Sequence, residues 1–163
     1  MTKNVTLLSR VKRTMQRTLI LLKPDAVQRR LTGDLTTRFE RKGLRLVGLK
    51  LVNASRQLAE KHYAVHKGKP FYEALVGFIT SGPTVAMVWE GREAVTVGRN
   101  LIGPTDGAKA APGTIRGDYA ASIQNNLVHG SDSPENAALE IALWFKEEEL
   151  VNWSPVDAAW IVG

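Results

Sequence analysis

Three histidines are the first residues to weigh for chemistry in this chain: His62, His66 and His129. His129 closes a short apolar stretch, Asn126 to His129, and is followed by Gly130-Ser131-Asp132 and then by Ser133-Pro134-Glu135, a good helix start. It therefore sits between a strand and a helix N-terminus, a location that favours anions. A neutral imidazole is abundant near pH 7 and attacks without first losing a proton. A lone histidine is, however, more often structural than catalytic. His62 and His66 lie four residues apart on an expected helix, a spacing that suits a metal, but no acid-rich partner motif accompanies them. Both are assigned an exposed or packed role. Three basic residues outside the N-terminal region, Lys23, Arg99 and Arg116, stand beside turn-forming Pro24, Gly98 and Gly117. Guanidinium forks match phosphate oxygens, although each base taken alone reads as a surface charge. The P-loop and the dinucleotide fingerprint are both absent; Gly103 to Lys109 misses the P-loop spacing. If the chain handles phosphates, side chains must hold them.

The elements that would position these residues follow from periodicity. Arg17 to Leu22 reads as a core strand ended by Lys23-Pro24-Asp25. Leu31, Leu35 and Phe39 mark one helix face, closed by Gly43, and alternation through Leu44, Leu46 and Gly48 marks a second strand. Residues 57–66 and 71–79 read as short helices separated by Gly68 and Pro70. Thr84 to Trp89 reads as a buried strand, and Ala94, Val97 and Leu101 as another helix. Residues 103–118 hold four glycines and two prolines, and are expected to be an irregular, functional loop. The last helix, capped by Ser133 with Pro134 at its first position, is expected to turn Ala138, Ile141 and Phe145 inward. Irregular alternation of strands and helices indicates a mixed α/β layer fold.

The chain of 163 residues, 44% apolar and 23% charged, suits one compact domain. Without cysteine it has no disulfide, thiolate nucleophile or iron–sulfur site. No apolar run is long enough to span a bilayer, and no secretory signal is evident. The net charge of +6 is concentrated: residues 1–30 hold eight of the 22 basic residues and one of the 16 acids. Residues 1–16 are therefore expected to be a basic N-terminal extension ahead of a domain spanning 17–163. Such an extension is a solvated tail or an arm for nucleic acid.

Five segments carry a family resemblance: Leu22 to Arg29, Lys69 to Tyr72, Ser81-Gly82-Pro83 through Trp89-Glu90-Gly91, Pro112 to Tyr119, and Asn126 to Asp132. Together, and in this order, they resemble the nucleoside diphosphate kinases from about Arg17 to about Leu150. The resemblance implies an α+β fold: a ferredoxin-like, four-stranded antiparallel sheet covered by helices. It implies transfer of the γ-phosphate of ATP or another nucleoside triphosphate to a nucleoside diphosphate, by double displacement through a phosphohistidine at His129. Ser131 and Glu140 match the groups that hold that ring. Lys23, Arg99 and Arg116 match phosphate-binding positions, and Thr105 a hydroxyl on the same phosphate chain. Tyr63 matches a tyrosine near the transferred phosphate, and Asn126 a contact to the ribose. Phe71 matches the aromatic that stacks on the base, with Leu75 and Ile123 completing an apolar slot. Stacking tolerates any base. Mg2+ is implied, held mainly by the nucleotide phosphates and without a protein cage; Asp132 is not taken as a metal ligand.

The resemblance also implies a cytoplasmic homo-oligomer, a hexamer or tetramer, with no membrane association. Val65 departs from the pattern, standing where many relatives have an acid. The leader before Arg17 exceeds the family's usual start, and it lacks the helical amphipathicity of an organelle-targeting segment. A nucleic-acid-binding module is the rival reading, but the aromatic pattern expected of an RNA-binding sheet is missing. A relative without catalysis is the other rival, opposed by the presence of Lys23, Arg99, Arg116 and His129 together. The apolar Trp160-Ile161-Val162 is expected to pack on a neighbouring subunit.

Overall fold

The computed structural model describes residues 15–162. Four strands form one antiparallel sheet: β1 (Met15–Leu22), β2 (Arg45–Val52), β3 (Thr84–Arg92) and β4 (Val128–Gly130), in the order β2-β3-β1-β4. The helices are α1 (Pro24–Gln28), α2 (Thr32–Arg41), α3 (Arg56–His62), α4 (Tyr72–Ile79), α5 (Ala94–Ile102), α6 (Ile115–Tyr119), α7 (Pro134–Trp144) and α8 (Ala158–Val162). This is the expected ferredoxin-like arrangement. No helix among these residues is long and apolar enough to cross a membrane.

Leu19–Leu22 of β1 and Val85–Trp89 of β3 are apolar without a break because helices cover both faces of the sheet there. Leu19 and Leu21 of β1 join Ala86 and Val88 of β3 in a core completed by Ala59, Val76, Ile79, Ile141 and Trp144. Ile20 and Leu22 join Val85, Met87 and Trp89 in a second core with Leu35, Phe39, Ala94 and Ile102. The period of two along each strand sends alternate side chains to opposite layers. Leu19 to Leu22 are all fully buried, each burial stabilising the fold by about 1.5–3 kcal/mol. The sheet therefore presents β1 and β4, with His129 opposite Leu21, on a well-fixed floor.

Several expectations shift. β1 starts at Met15, two residues early, so the basic extension falls outside the described residues except for its last two. Lys23-Pro24-Asp25 ends β1 as expected and also opens α1, because proline is tolerated at a helix's first position. The simple alternation expected across 44–49 fails: a register shift between Leu46 and Gly48 turns Val47 inward and leaves Leu49 exposed. A bulge changes the phase of a strand by one residue, which a period of two does not foresee. The helix expected over 57–66 stops at His62 and continues as a 3-10 turn, Ala64–His66. On α7 the inward residue is Ala137, whereas Ala138 is exposed; Ile141 and Phe145 are buried as expected.

Residues 103–118 are not wholly irregular. They contain a 3-10 turn, Gly107–Lys109, and the start of α6, whose cap Thr114 accepts a hydrogen bond from the Gly117 amide at 3.0 Å. A Cβ at 117 would lie 1.9 Å from the Ala111 carbonyl oxygen, so this tight coil requires glycine. Arg38 of α2 fastens the segment, donating to the Gly113 carbonyl and pairing with Asp118 at 2.6 Å. In α8, Ile161 packs over Gly43 of the same chain while Trp160 is exposed.

Candidate active site

The short strand β4 is entered through a strained turn. Leu127 has φ of 69° and is fully buried, and the Val128 amide donates to the Asn126 carbonyl at 2.8 Å across it. Left-handed backbone at a bulky residue costs about 1–3 kcal/mol and persists only when its surroundings hold it. Here the Leu127 amide donates to Asp25 Oδ2 at 3.1 Å, and its carbonyl accepts from the Lys23 amide at 2.8 Å. The end of β1 and the start of α1 thus set the angle at which β4 delivers His129.

His129 and Glu140 come from β4 and α7. The ring Nε2 of His129 is 3.0 Å from Glu140 Oε2, and the same oxygen accepts from the Ser131 hydroxyl at 2.6 Å. Ser131, fully buried, in turn accepts from the Leu19 amide. Burial alone would raise the Glu140 carboxyl, but the hydrogen bonds from His129 and then Ser131 outweigh it and hold the group below the usual carboxylate range. An ionised Glu140 makes Nε2 the protonated nitrogen of neutral His129. The free ring lone pair then belongs to Nδ1.

Around this ring the structure gathers positive charge. Lys23 is 7% exposed, hydrogen-bonds to the Asn126 side-chain carbonyl, and lies over the Phe78 ring at 5.4 Å. Burial pushes its ammonium down to about 8, partly offset by Asp25 and reinforced by Arg116. Arg116 is equally enclosed; it donates to the carbonyls of Asn126, Gly103 and Val128 at 3.1, 3.1 and 2.6 Å. Burial, with Arg99 nearby, lowers it to about 10, so it stays charged at neutral pH. Arg99 of α5 reaches the Gly130 carbonyl at 3.4 Å, one residue from His129. Asn126 also donates to the Thr105 carbonyl at 2.9 Å, which ties the 103–118 segment to the same centre. Tyr63 is buried, and burial raises its phenol to about 12, so it stays a neutral donor.

Phe71 and Ile123 are exposed and Leu75 is half-buried; Phe71 meets the His66 ring at 5.4 Å and Lys69 at 5.7 Å. Val65 is exposed. Asp132 accepts from the Asn136 amide group at 2.7 Å and makes no part of the His129 cluster. Among the described residues, one group of side chains is close enough to share a cation, and it is His62, His129 and Glu140. Its nitrogen-rich donor set does not suit Mg2+, which prefers six oxygens. Sequence reasoning missed three members of this region. For His62 the sequence indicates only an exposed or packed role, whereas its ring packs at a right angle to that of His129, centroids 4.5 Å apart. Asp25 stands in the Leu22 to Arg29 segment with no role assigned to it there, and Trp144 carries no local signal; only tertiary proximity shows what the two touch.

An imidazole braced by a carboxylate, with the buried cations Lys23 and Arg116 and the part-exposed Arg99 close by on a ferredoxin-like sheet, fits a phosphoryl-handling enzyme. The sequence comparisons narrow this class. A model of the family described as nucleoside diphosphate kinase matches residues 16–150. Nucleoside diphosphate kinases of Picosynechococcus sp. and Carboxydothermus hydrogenoformans are each 58% identical over 147 residues, spanning 90% of this chain and 99% of theirs. A halophilic nucleoside diphosphate kinase from Halobacterium salinarum, solved in complex with CDP, is 50% identical with a TM-score of 0.90, covering 92% of this chain and all of that one. A family member from Babesia bovis is 47% identical with a TM-score of 0.87, covering 90% of this chain and 99% of its own. This chain belongs to the nucleoside diphosphate kinase family.

Proposed function

We propose that this chain transfers the γ-phosphate of a nucleoside triphosphate to a nucleoside diphosphate by way of His129. The observation that carries the reading is the 3.0 Å contact of His129 Nε2 with Glu140, itself held by Ser131. It commits the proton to one nitrogen and leaves the other as nucleophile. In the first half-reaction the Nδ1 lone pair attacks the γ-phosphorus. The bond to the β-bridging oxygen breaks, and the nucleoside diphosphate departs with that electron pair. In the second, a terminal oxygen of the acceptor diphosphate attacks the same phosphorus, and the P–N bond returns its pair to Nδ1. Glu140 offsets the positive charge that builds on the ring in the first step and is relieved in the second.

Lys23, Arg99 and Arg116 neutralise and align the phosphates, with the Thr105 hydroxyl on the same chain and the Tyr63 phenol beside the transferred group. Asn126 meets the ribose hydroxyls. Phe71, with Leu75 and Ile123, takes the base by stacking; such a slot reads a π-face and accepts any base. Mg2+ would be held mainly by the nucleotide's phosphates, whose charge it would help to neutralise. The enzyme is a cytoplasmic homo-oligomer, a hexamer or tetramer, whose domain takes in β1 from Met15 and follows a basic extension.

Intact-mass measurement after mixing with ATP and Mg2+ tests the reading. One PO3 unit is expected, mapped to His129, acid-labile and discharged by GDP. His129→Ala abolishes transfer while keeping its fold by circular dichroism. ATP-to-GDP transfer by that variant would reject the assignment.

A further inference from the structure

His62 contributes nothing to the reaction described above, yet it is buried against the nucleophile. Its Nδ1 is 3.2 Å from the indole Nε1 of Trp144, and its Nε2 is buried with no hydrogen-bond partner. Its ring meets His129 edge-on, with centroids 4.5 Å apart and planes at 83°. Trp144 stands edge-on to His62 in the same way, at 5.6 Å and 87°. Each of His62, His129 and Glu140 places one ligating atom within 4.8 Å of the others.

An indole N–H donates only. His62 Nδ1 must therefore accept, and a neutral His62 carries its proton on Nε2. The ring stays neutral, because burial and then the neighbouring His129 push its protonation down to about 3. We propose that Trp144 fixes His62 as an N–H donor, and that His62 is thereby a positioning residue which leaves the His129 proton to Glu140 and keeps the nucleophilic tautomer. The proposal rests on His129 being the nucleophile.

The logic concerns which wrong states are removed. If Nδ1 of His62 carried the proton, its Nε2 would present a lone pair to the cluster. That lone pair would be a second acceptor beside Glu140, able to draw the His129 proton to a different nitrogen or ring angle. A histidine held in the wrong tautomer loses orders of magnitude in rate when it must act as a base or nucleophile. With Nε2–H in place, His62 competes for no proton. The same feature argues against a transition metal in this cluster. Ligation through His62 Nε2 would move its proton to Nδ1, donor against donor with Trp144.

Two-bond 15N–1H correlation spectra of histidine-labelled protein near neutral pH test this directly. In the unaltered chain, His62 and His129 are both expected as Nε2–H tautomers. Trp144→Phe is expected to mix the tautomers of both rings. It should slow phosphohistidine formation about ten-fold, equivalent to ~1.4 kcal/mol, with KM for the nucleotide changed less than about two-fold. His62→Gln keeps a carbonyl to accept from Trp144 and an N–H to donate, so it should react within about three-fold of the parent rate, whereas His62→Leu loses about ten-fold. A His62 proton found on Nδ1 overturns the proposal, and so does stoichiometric uptake of Zn2+ that displaces the His62 signals. Equal rates for the Gln and Leu variants, or a full rate in Trp144→Phe with phosphate still on His129, overturn it while leaving the nucleophile assignment standing. Phosphate mapped to another residue overturns that assignment itself.

Discussion

Replacing Glu140 by Gln separates the electrostatic part of the His129 brace from its geometric part. The wild-type oxygen accepts from His129 at 3.0 Å and from Ser131 at 2.6 Å, and the two paired side chains are 25% and 19% exposed. A Gln carbonyl at the same place still accepts from both, and the Nε2–H of His129 requires the carbonyl there, since an amide NH2 would set donor against donor. Neutral His129 is therefore held almost as before. The full negative charge facing the ring as it becomes cationic during attack is what disappears. A hydrogen bond to a charged partner contributes about 1.5–3 kcal/mol, so the rate of phosphoenzyme formation should fall by about 10- to 150-fold. KM for the nucleotide should hold within about two-fold, since Glu140 faces the ring and not the phosphates. Rapid-quench measurement of phosphohistidine formation, alongside steady-state ATP-to-GDP transfer and a thermal melt, reads each term. A variant that folds normally and reacts within two-fold of wild type would refute the claim that ionised Glu140 stabilises the reacting imidazole.

Three other outcomes follow from the same contacts. The Lys23 ammonium, lowered to about 8 by burial, loses its proton as pH rises through that value, so ADP affinity by calorimetry should weaken between pH 7 and pH 9.5; constant affinity would contradict Lys23 as a phosphate contact. Glu90 sits opposite both Arg17 and Arg45 across the sheet and pairs with both. Burial opposes its ionisation, but hydrogen bonds from the two guanidiniums hold it below its usual range. Its stabilising contribution is therefore present above the unfolded-state pKa of about 4.3 and is lost as pH falls through the lower folded value. Glu90→Gln should cost about 1–2 kcal/mol in urea melts at pH 7, with half-exposed Arg17 reducing the figure, and almost nothing in strong acid. Gly117→Ala places a Cβ against the Ala111 carbonyl and must move α6 with Arg116; KM for the nucleotide should rise about ten-fold or more, and an unchanged KM would show that this coil does not set the arginine.

Sequence alone determined the layers and most of their residues. Unbroken apolar runs at Leu19–Leu22 and Val85–Trp89, and four-residue spacing at Leu31, Leu35 and Phe39, signal burial directly, because water exclusion acts on side-chain type and local period. Five motifs in order carried the family resemblance and contain Lys23, Arg116 and His129; Arg99 lies outside them, beside Gly98. Local pattern had no purchase on the bulge after Leu46, on Ala137 rather than Ala138 facing the core, or on the helical turn at Ile115–Tyr119; each depends on what the rest of the chain packs against it. Nor did it reveal Asp25 gripping the Leu127 amide, or Trp144 reaching His62 across 82 residues. Those are single hydrogen bonds between groups far apart in the chain, with no periodic trace in the sequence. Their partners are chosen only once the sheet and helices have closed, and the same closure brings Glu140 of α7 against His129 of β4.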